Sequence, residues 1–187
     1  MINCFDYIAS VYDCLNIQPD PIRLRTLLGL PAEGRLLDAG GGTGRVSLPL
    51  RFLVGAIVIS DLSRPMLQQA RRKGIDLTVQ ARTEQMPFPD GSFSRIIVVD
   101  ALHHFGNQSA AIGELSRLLT PPGRLVIVEP DINRLIVKVV SLMERLMNMG
   151  IRFLPADEIR EMLARQSLRA SIAGRDRFRV WIVADKT

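Results

Sequence analysis

Aromatic residues are scarce, at 5% of 187 positions, with one tryptophan. A core built from this chain must therefore be aliphatic. Cysteine is nearly absent. Cys4 and Cys14 are the only two, which is too few for a disulfide framework and wrongly spaced for a metal pair on one helix. They read as reduced thiols of a cytoplasmic protein. Long uncharged apolar runs are missing as well. The greasiest stretch, 135–154, carries Lys138, Glu144, Arg145 and Arg152, whereas a membrane span needs about 20 mostly uncharged residues. Met1-Ile2-Asn3-Cys4 offers neither a basic n-region nor an apolar h-region, so no signal peptide is expected. Charge of one sign is not concentrated. The formal net charge is +5, yet Arg71-Arg72-Lys73 is the only basic run, and such a run suits a helix C-terminus. Neither nucleic acid nor an anionic membrane is the expected partner.

What is present is an alternation of short apolar runs and helical patterns. Residues 35–39, 56–60, 77–79, 96–99 and 125–128 read as strands of a parallel sheet buried on both faces. Helices are expected over about 45–53, 64–72 with Ser63 as N-cap, 108–119, 133–149 ending at Gly150, and 155–166. Residues 168–172 and 178–184 read as two closing strands around a short turn, hence antiparallel. Strand–helix alternation implies βαβ units and a three-layer α/β/α sandwich. No linker or repeat divides the chain, so one domain over 1–187 is expected.

The densest signal is Asp38-Ala39-Gly40-Gly41-Gly42-Thr43-Gly44-Arg45, between strand one and the next expected helix. Glycines admit a ligand close to main-chain N–H groups, and a helix N-terminus adds partial positive charge. The dinucleotide spacing G-x-G-x-x-G fails, because Arg45 or Ser47 falls where the third glycine belongs. The phosphate-loop pattern fails too, because no Gly-Lys-Ser/Thr follows. What remains is an acid followed by glycines at every second position.

That arrangement resembles motif I of the class I S-adenosylmethionine-dependent methyltransferases. Val58-Ile59-Ser60-Asp61-Leu62-Ser63 with Met66 resembles the family's acidic ribose-binding position and its following helix. Met86-Pro87-Phe88-Pro89-Asp90-Gly91-Ser92-Phe93, then Leu102-His103-His104, then the stretch from Leu115 through Thr120-Pro121-Pro122-Gly123 to Val128, are similar to the ubiquinone/menaquinone-type subgroup. So is Phe5-Asp6-Tyr7-Ile8-Ala9 with Tyr12-Asp13. The resemblance covers about 5–130 and returns more weakly over 153–186. It implies a Rossmann-like fold with a mostly parallel seven-stranded sheet and an antiparallel last strand. It implies S-adenosyl-L-methionine as cofactor and S-adenosyl-L-homocysteine as product. The residues it would place at the cofactor are Asp38 to Gly44 (with Ala39, Gly40, Gly41, Gly42 and Thr43), Asp61, Leu62, Met66, Arg82, Thr83, Asp100 and Tyr12. Asp61 can alternatively be only a helix-start residue. Arg82-Thr83 stand where the family often has Asp-Ala, and an arginine cannot accept the adenine amino hydrogens.

Methyl transfer from a sulfonium requires alignment and sometimes a proton acceptor, so no triad is demanded. His103 or His104 can act as general base, or can simply pack or cap. Residues 1–30 are expected to hold N-terminal helices, and 131–167 helices that form a substrate lid, a homodimer interface or ordinary packing. The wide apolar face there, including Leu142, Leu146 and Met149, points to a small, apolar acceptor. A cofactor-binding module without turnover and an RNA methyltransferase are the competing readings. The second lacks the Asn/Asp-Pro-Pro-aromatic signature after strand four.

Overall fold

A computed structural model describes residues 18–133 and 152–187. Tyr12, both cysteines and the stretch 134–151 lie outside them. The described chain runs α1 (Pro21–Leu28), β1 (Arg35–Ala39), β2 (Ala56–Asp61), α2 (Arg64–Arg72), β3 (Thr78–Gln80), β4 (Phe93–Val99), α3 (Gln108–Leu118), β5 (Leu119–Pro130), α4 (Ala156–Arg165), β6 (Arg169–Arg175) and β7 (Arg179–Lys186). Short side chains start the helices, Ser63 at the position expected and Asp20 and Asn107 besides. Asp20 accepts from the Ile22 and Arg23 amides, Ser63 from Met66, and Asn107 from Ala110.

The seven strands form one sheet in the order β3-β2-β1-β4-β5-β7-β6. Strands β1 to β5 pair in parallel, and β7 runs antiparallel to both β5 and β6. Alternating side chains leave opposite faces, so each strand feeds two cores. Leu37, Ile96, Val98, Leu125 and Ile127 pack with Ile112 and Leu115 of α3 and Ile159 and Leu163 of α4. Leu36, Ile59, Ile97, Val126 and Val128 pack with Leu24 and Leu28 of α1 and Leu67 and Ala70 of α2. The result is the expected three-layer sandwich, and α4 is one of its packed layers.

One expected element is not there. Residues 45–53 form turns around a single 3₁₀ turn, Leu48–Leu50, instead of an α-helix. Pro49 has no N–H to give to the Arg45 carbonyl, and its ring crowds the preceding turn. The chain uses short-range bonds instead, from the Leu50 amide to Ser47 and from Leu53 to Leu50. The glycine loop therefore ends in turns, and its positive potential comes from its own amides, with no helix dipole behind it.

Successive strands reverse direction of growth between β1 and β4, and open α/β sheets bind ligands beyond the strand ends at such a point. On the far side of the sheet, the β6–β7 connection depends on Asp176. One of its oxygens accepts from the Phe178 and Arg179 amides (2.9 and 2.8 Å) and the other from the indole of the buried Trp181 (2.8 Å). Asp176→Ala strands that indole N–H, and the expected cost is roughly 3 kcal/mol. Thermal unfolding should show a loss of about 6–12 °C in Tm; an unchanged Tm would mean the turn holds itself.

Candidate active site

Four acidic residues stand at the carboxyl ends of sheet strands: Asp38 on β1, Asp61 on β2, Asp100 just past β4, and Glu129 on β5. The loop after β1 is pinned first. The Gly40 and Gly41 amides both reach the Ser60 carbonyl (2.8 and 3.2 Å). The Gly42 amide donates to Asp61 Oδ2 at 2.9 Å. Gly41 is required by close approach, since a Cβ there would lie 2.4 Å from the Asp38 carboxyl carbon. Gly44 has φ +71°, and a Cβ would meet Ile59 at 2.6 Å. Alternate glycines thus serve backbone shape, and the one between them makes room for an acid.

The loop, the end of β2 and the end of β4 surround a cavity of about 500 Å³. Of the residues expected at the cofactor, Asp38, Gly40, Gly41, Gly42, Asp61, Leu62, Met66, Arg82, Thr83 and Asp100 line it. Ala39, Thr43 and Gly44 are not among the lining residues; the Thr43 carbonyl accepts from Lys73 at 3.1 Å behind the loop. Leu62 is 52% exposed at the cavity lip, an apolar surface of the kind a flat base covers. Asp61 starts a helix and also lines the cavity. Its Oδ1 accepts from the Ser63 amide at 2.8 Å, starting the turn into α2, while the carboxylate faces the cavity.

Asp38 is buried, and its Oδ2 has no hydrogen-bond partner within the protein. Burial pushes its pKa up to about 7; the Ser47 hydroxyl opposes this, the Asp61 charge adds to it, and Arg45 opposes it. Across the cavity, Asp100 takes φ +50°, unusual for a residue with a side chain. Both its oxygens are held by Arg179 of β7 (2.9 and 2.8 Å), and Arg45 stands 3.6 Å away. Arg82 is exposed at the cavity mouth and pairs with Glu84 at 3.5 Å.

The two histidines part company. His103 is buried, bonded through Nδ1 to Glu129 Oε2 at 2.5 Å, and stacked on Phe153. It does not line the cavity, whereas His104 does. Although solvent reaches part of the His104 ring, the protein packed around the rest holds its pKa well below the usual imidazole value, and the neighbouring His103 adds to this while Glu129 opposes it. His104 is neutral at physiological pH.

Sequence reasoning did not single out Arg45, Val46, Ala81, Glu84, Val99, Ala101, Phe105 and Gly106 as cofactor neighbours, yet all border the cavity. The Arg179 and Glu129 contacts also escaped it. For Glu129 a signal existed, because an acid closes β5 as one closes β1 and β2.

A methyltransferase domain model matches residues 37–127. The demethylmenaquinone methyltransferase of Thermus thermophilus is 37% identical over 139 residues, covering 67% of this chain and 63% of that protein. Among solved structures, an S-adenosylmethionine-dependent methyltransferase from Aquifex aeolicus superposes with a TM-score of 0.74 at 18% identity, covering 96% of this chain and 98% of that one. The geranyl diphosphate C-methyltransferase of Streptomyces coelicolor, solved with S-adenosyl-L-homocysteine, gives 0.73 at 17% identity, over 89% of this chain and 76% of that one. The chain spans about three fifths of the length of the curated relatives it matches. Over residues 37–127 the chain is a methyltransferase domain.

Proposed function

We propose that the protein transfers a methyl group from S-adenosyl-L-methionine to a small, apolar molecule. The observation that carries this reading is Asp38, a buried carboxyl with an unpartnered oxygen, in a cavity that Asp61 also lines. A cation satisfies the first acid, and a diol suits the second. The cofactor has both, as well as a base for the apolar surface of Leu62 and Met66.

In this reading Asp61 accepts the ribose hydroxyls with the lone pairs left by the Gly42 and Ser63 amides. Asp38 holds the cationic methionine end beside the loop. Thr83 and the Arg82–Glu84 pair border the base. The bound sulfonium supplies an already activated methyl group, so the chain's task is to orient and to exclude water. His104 stands on the cavity wall in its neutral form, and its lowered pKa makes it a weak base, suited to an acceptor that loses its proton easily. His103 is engaged by Glu129 and serves to place its neighbour. A small hydrophobic acceptor draws support from two sources: the apolar face in the sequence of 134–151, and relatives named for quinone and geranyl diphosphate methylation.

Calorimetry should find binding of S-adenosyl-L-methionine and S-adenosyl-L-homocysteine and none of NAD; NAD binding alone overturns the reading. Asp61→Ala should weaken cofactor binding by about 1.5–3 kcal/mol, the range for a lost hydrogen bond to a charged group. Tritium from methyl-labelled cofactor should pass into an organic-solvent extract of cells. Retention of all label in the aqueous phase, alongside tight cofactor binding, would favour a binding module without turnover.

Asp38 also makes a pH prediction. In the unfolded chain its carboxyl ionises near 3.8, whereas in the folded protein it keeps its proton to about 7. The folded state therefore binds the extra proton between these values, and stability falls as pH rises through that window, by roughly 4 kcal/mol at most. Melting curves from pH 4 to 8 without added ligand should show this slope in the wild type and lose it in Asp38→Asn, which should be the more stable protein at pH 8. Affinity for the cationic cofactor should move oppositely, rising with pH up to about 7 in the wild type and flat in Asp38→Asn.

A further inference from the structure

Glu129 is a buried acid that the proposed chemistry does not use. It closes β5, and its carboxylate is surrounded by donors from the corner that follows β4. Oε1 accepts from the Ala101 and Leu102 amides at 2.9 and 2.8 Å, and Oε2 bonds His103 Nδ1 at 2.5 Å. One side chain thereby fixes three consecutive residues. The residue just before them, Asp100, sits at φ +50°, a conformation that persists only where its surroundings over-determine it. Removing a carboxylate from water is unfavourable, and an apolar side chain of similar volume would fill the space without that penalty. Packing alone does not account for an acid here.

We infer that Glu129 is a positioning residue, which holds the β4 corner in the conformation that sets Asp100, Ala101 and His104 in the cavity wall. This rests on the reading of that cavity as the cofactor site. The same hold reaches outward through His103. Its ring stacks on Phe153 with centroids 4.5 Å apart, and its carbonyl accepts from the Arg152 amide at 3.1 Å. Gln108 closes the circuit, donating to the Leu102 and Arg152 carbonyls at 3.0 and 2.7 Å. The chain re-entering at 152–153 is thus registered against the cavity wall by way of Glu129. A carboxylate accepts and cannot donate, so His103 must present Nδ1–H to it, and the tautomer is set along with the ring's place.

The test uses S-adenosyl-L-homocysteine as ligand and the full chain, well below its melting temperature. Glu129→Ala should bind it at least tenfold more weakly. Glu129→Gln keeps an oxygen for the two amides and should stay within about threefold of the wild type. A folded Glu129→Ala that binds within twofold of the wild type overturns the inference. The chain has only two histidines, so ¹⁵N-histidine spectra resolve each ring. Glu129→Gln turns an amide N–H toward His103 and should move its proton from Nδ1 to Nε2; an unchanged tautomer also overturns it. If Glu129→Ala does not fold, His103→Phe takes its place in the affinity measurement, because it keeps the stack on Phe153 and drops the Glu129 bond. A loss of threefold or more is then expected, and an unchanged affinity refutes the inference. A wild type that ignores S-adenosyl-L-homocysteine defeats the cofactor reading alone, and the tautomer measurement still decides what Glu129 holds.

Discussion

The hydrogen bond from the Gly42 amide to Asp61 joins the loop of one strand to the tip of the next, and the cavity exists because of it. Without that bond the Gly40–Gly42 segment is tied across the sheet only to the Ser60 carbonyl, and the Asp61 carboxylate is tied only to the Ser63 amide. With it, the loop's amides, the acid and the start of α2 share one geometry. Asp38 can then sit beneath Gly41, out of water, because the loop over it is fixed from above. Stability and binding oppose each other at that residue: an acid that raises the free energy of the folded chain at neutral pH is the group best placed to meet a cation.

Most of this architecture was legible in the linear sequence. Continuous apolar runs announced buried parallel strands, and Ser63 was read at the correct helix start. The alternate glycines marked the loop, and Asp61 marked its partner. These features are local, and each is set by residues a few positions apart. The helix expected after the loop failed for an equally local reason, Pro49, whose missing N–H was in view but was outweighed by the apolar spacing around it.

What the sequence hid is long-range. Nothing near Asp100 indicates that Arg179, on a strand that runs the other way, will take both its carboxylate oxygens. Nothing near His103 indicates that Glu129 will engage it and leave His104 at the cavity. Two adjacent histidines look equivalent in a sequence; Glu129 at the end of the neighbouring strand binds one and leaves the other on the cavity wall. Such assignments depend on sheet order, which places β5 beside β4 and β7 beside β5.

The stretch 134–151 is entered and left at two fastened points. Before it, the Asp131 amide donates to the Phe178 carbonyl, and the Asp131 carboxylate pairs with Arg175 at 3.1 Å. After it, Arg152 and Phe153 are held by His103 and Gln108. The entropic penalty of bridging two fixed ends grows only slowly with the length of the bridge. A segment mounted in this way can be exchanged for another of different length and chemistry with little disturbance to the glycine loop or the acids. On the proposed reading, with the acceptor met by the chain between these two points, acceptor choice and cofactor use are physically separable, and a new acceptor needs only that stretch replaced.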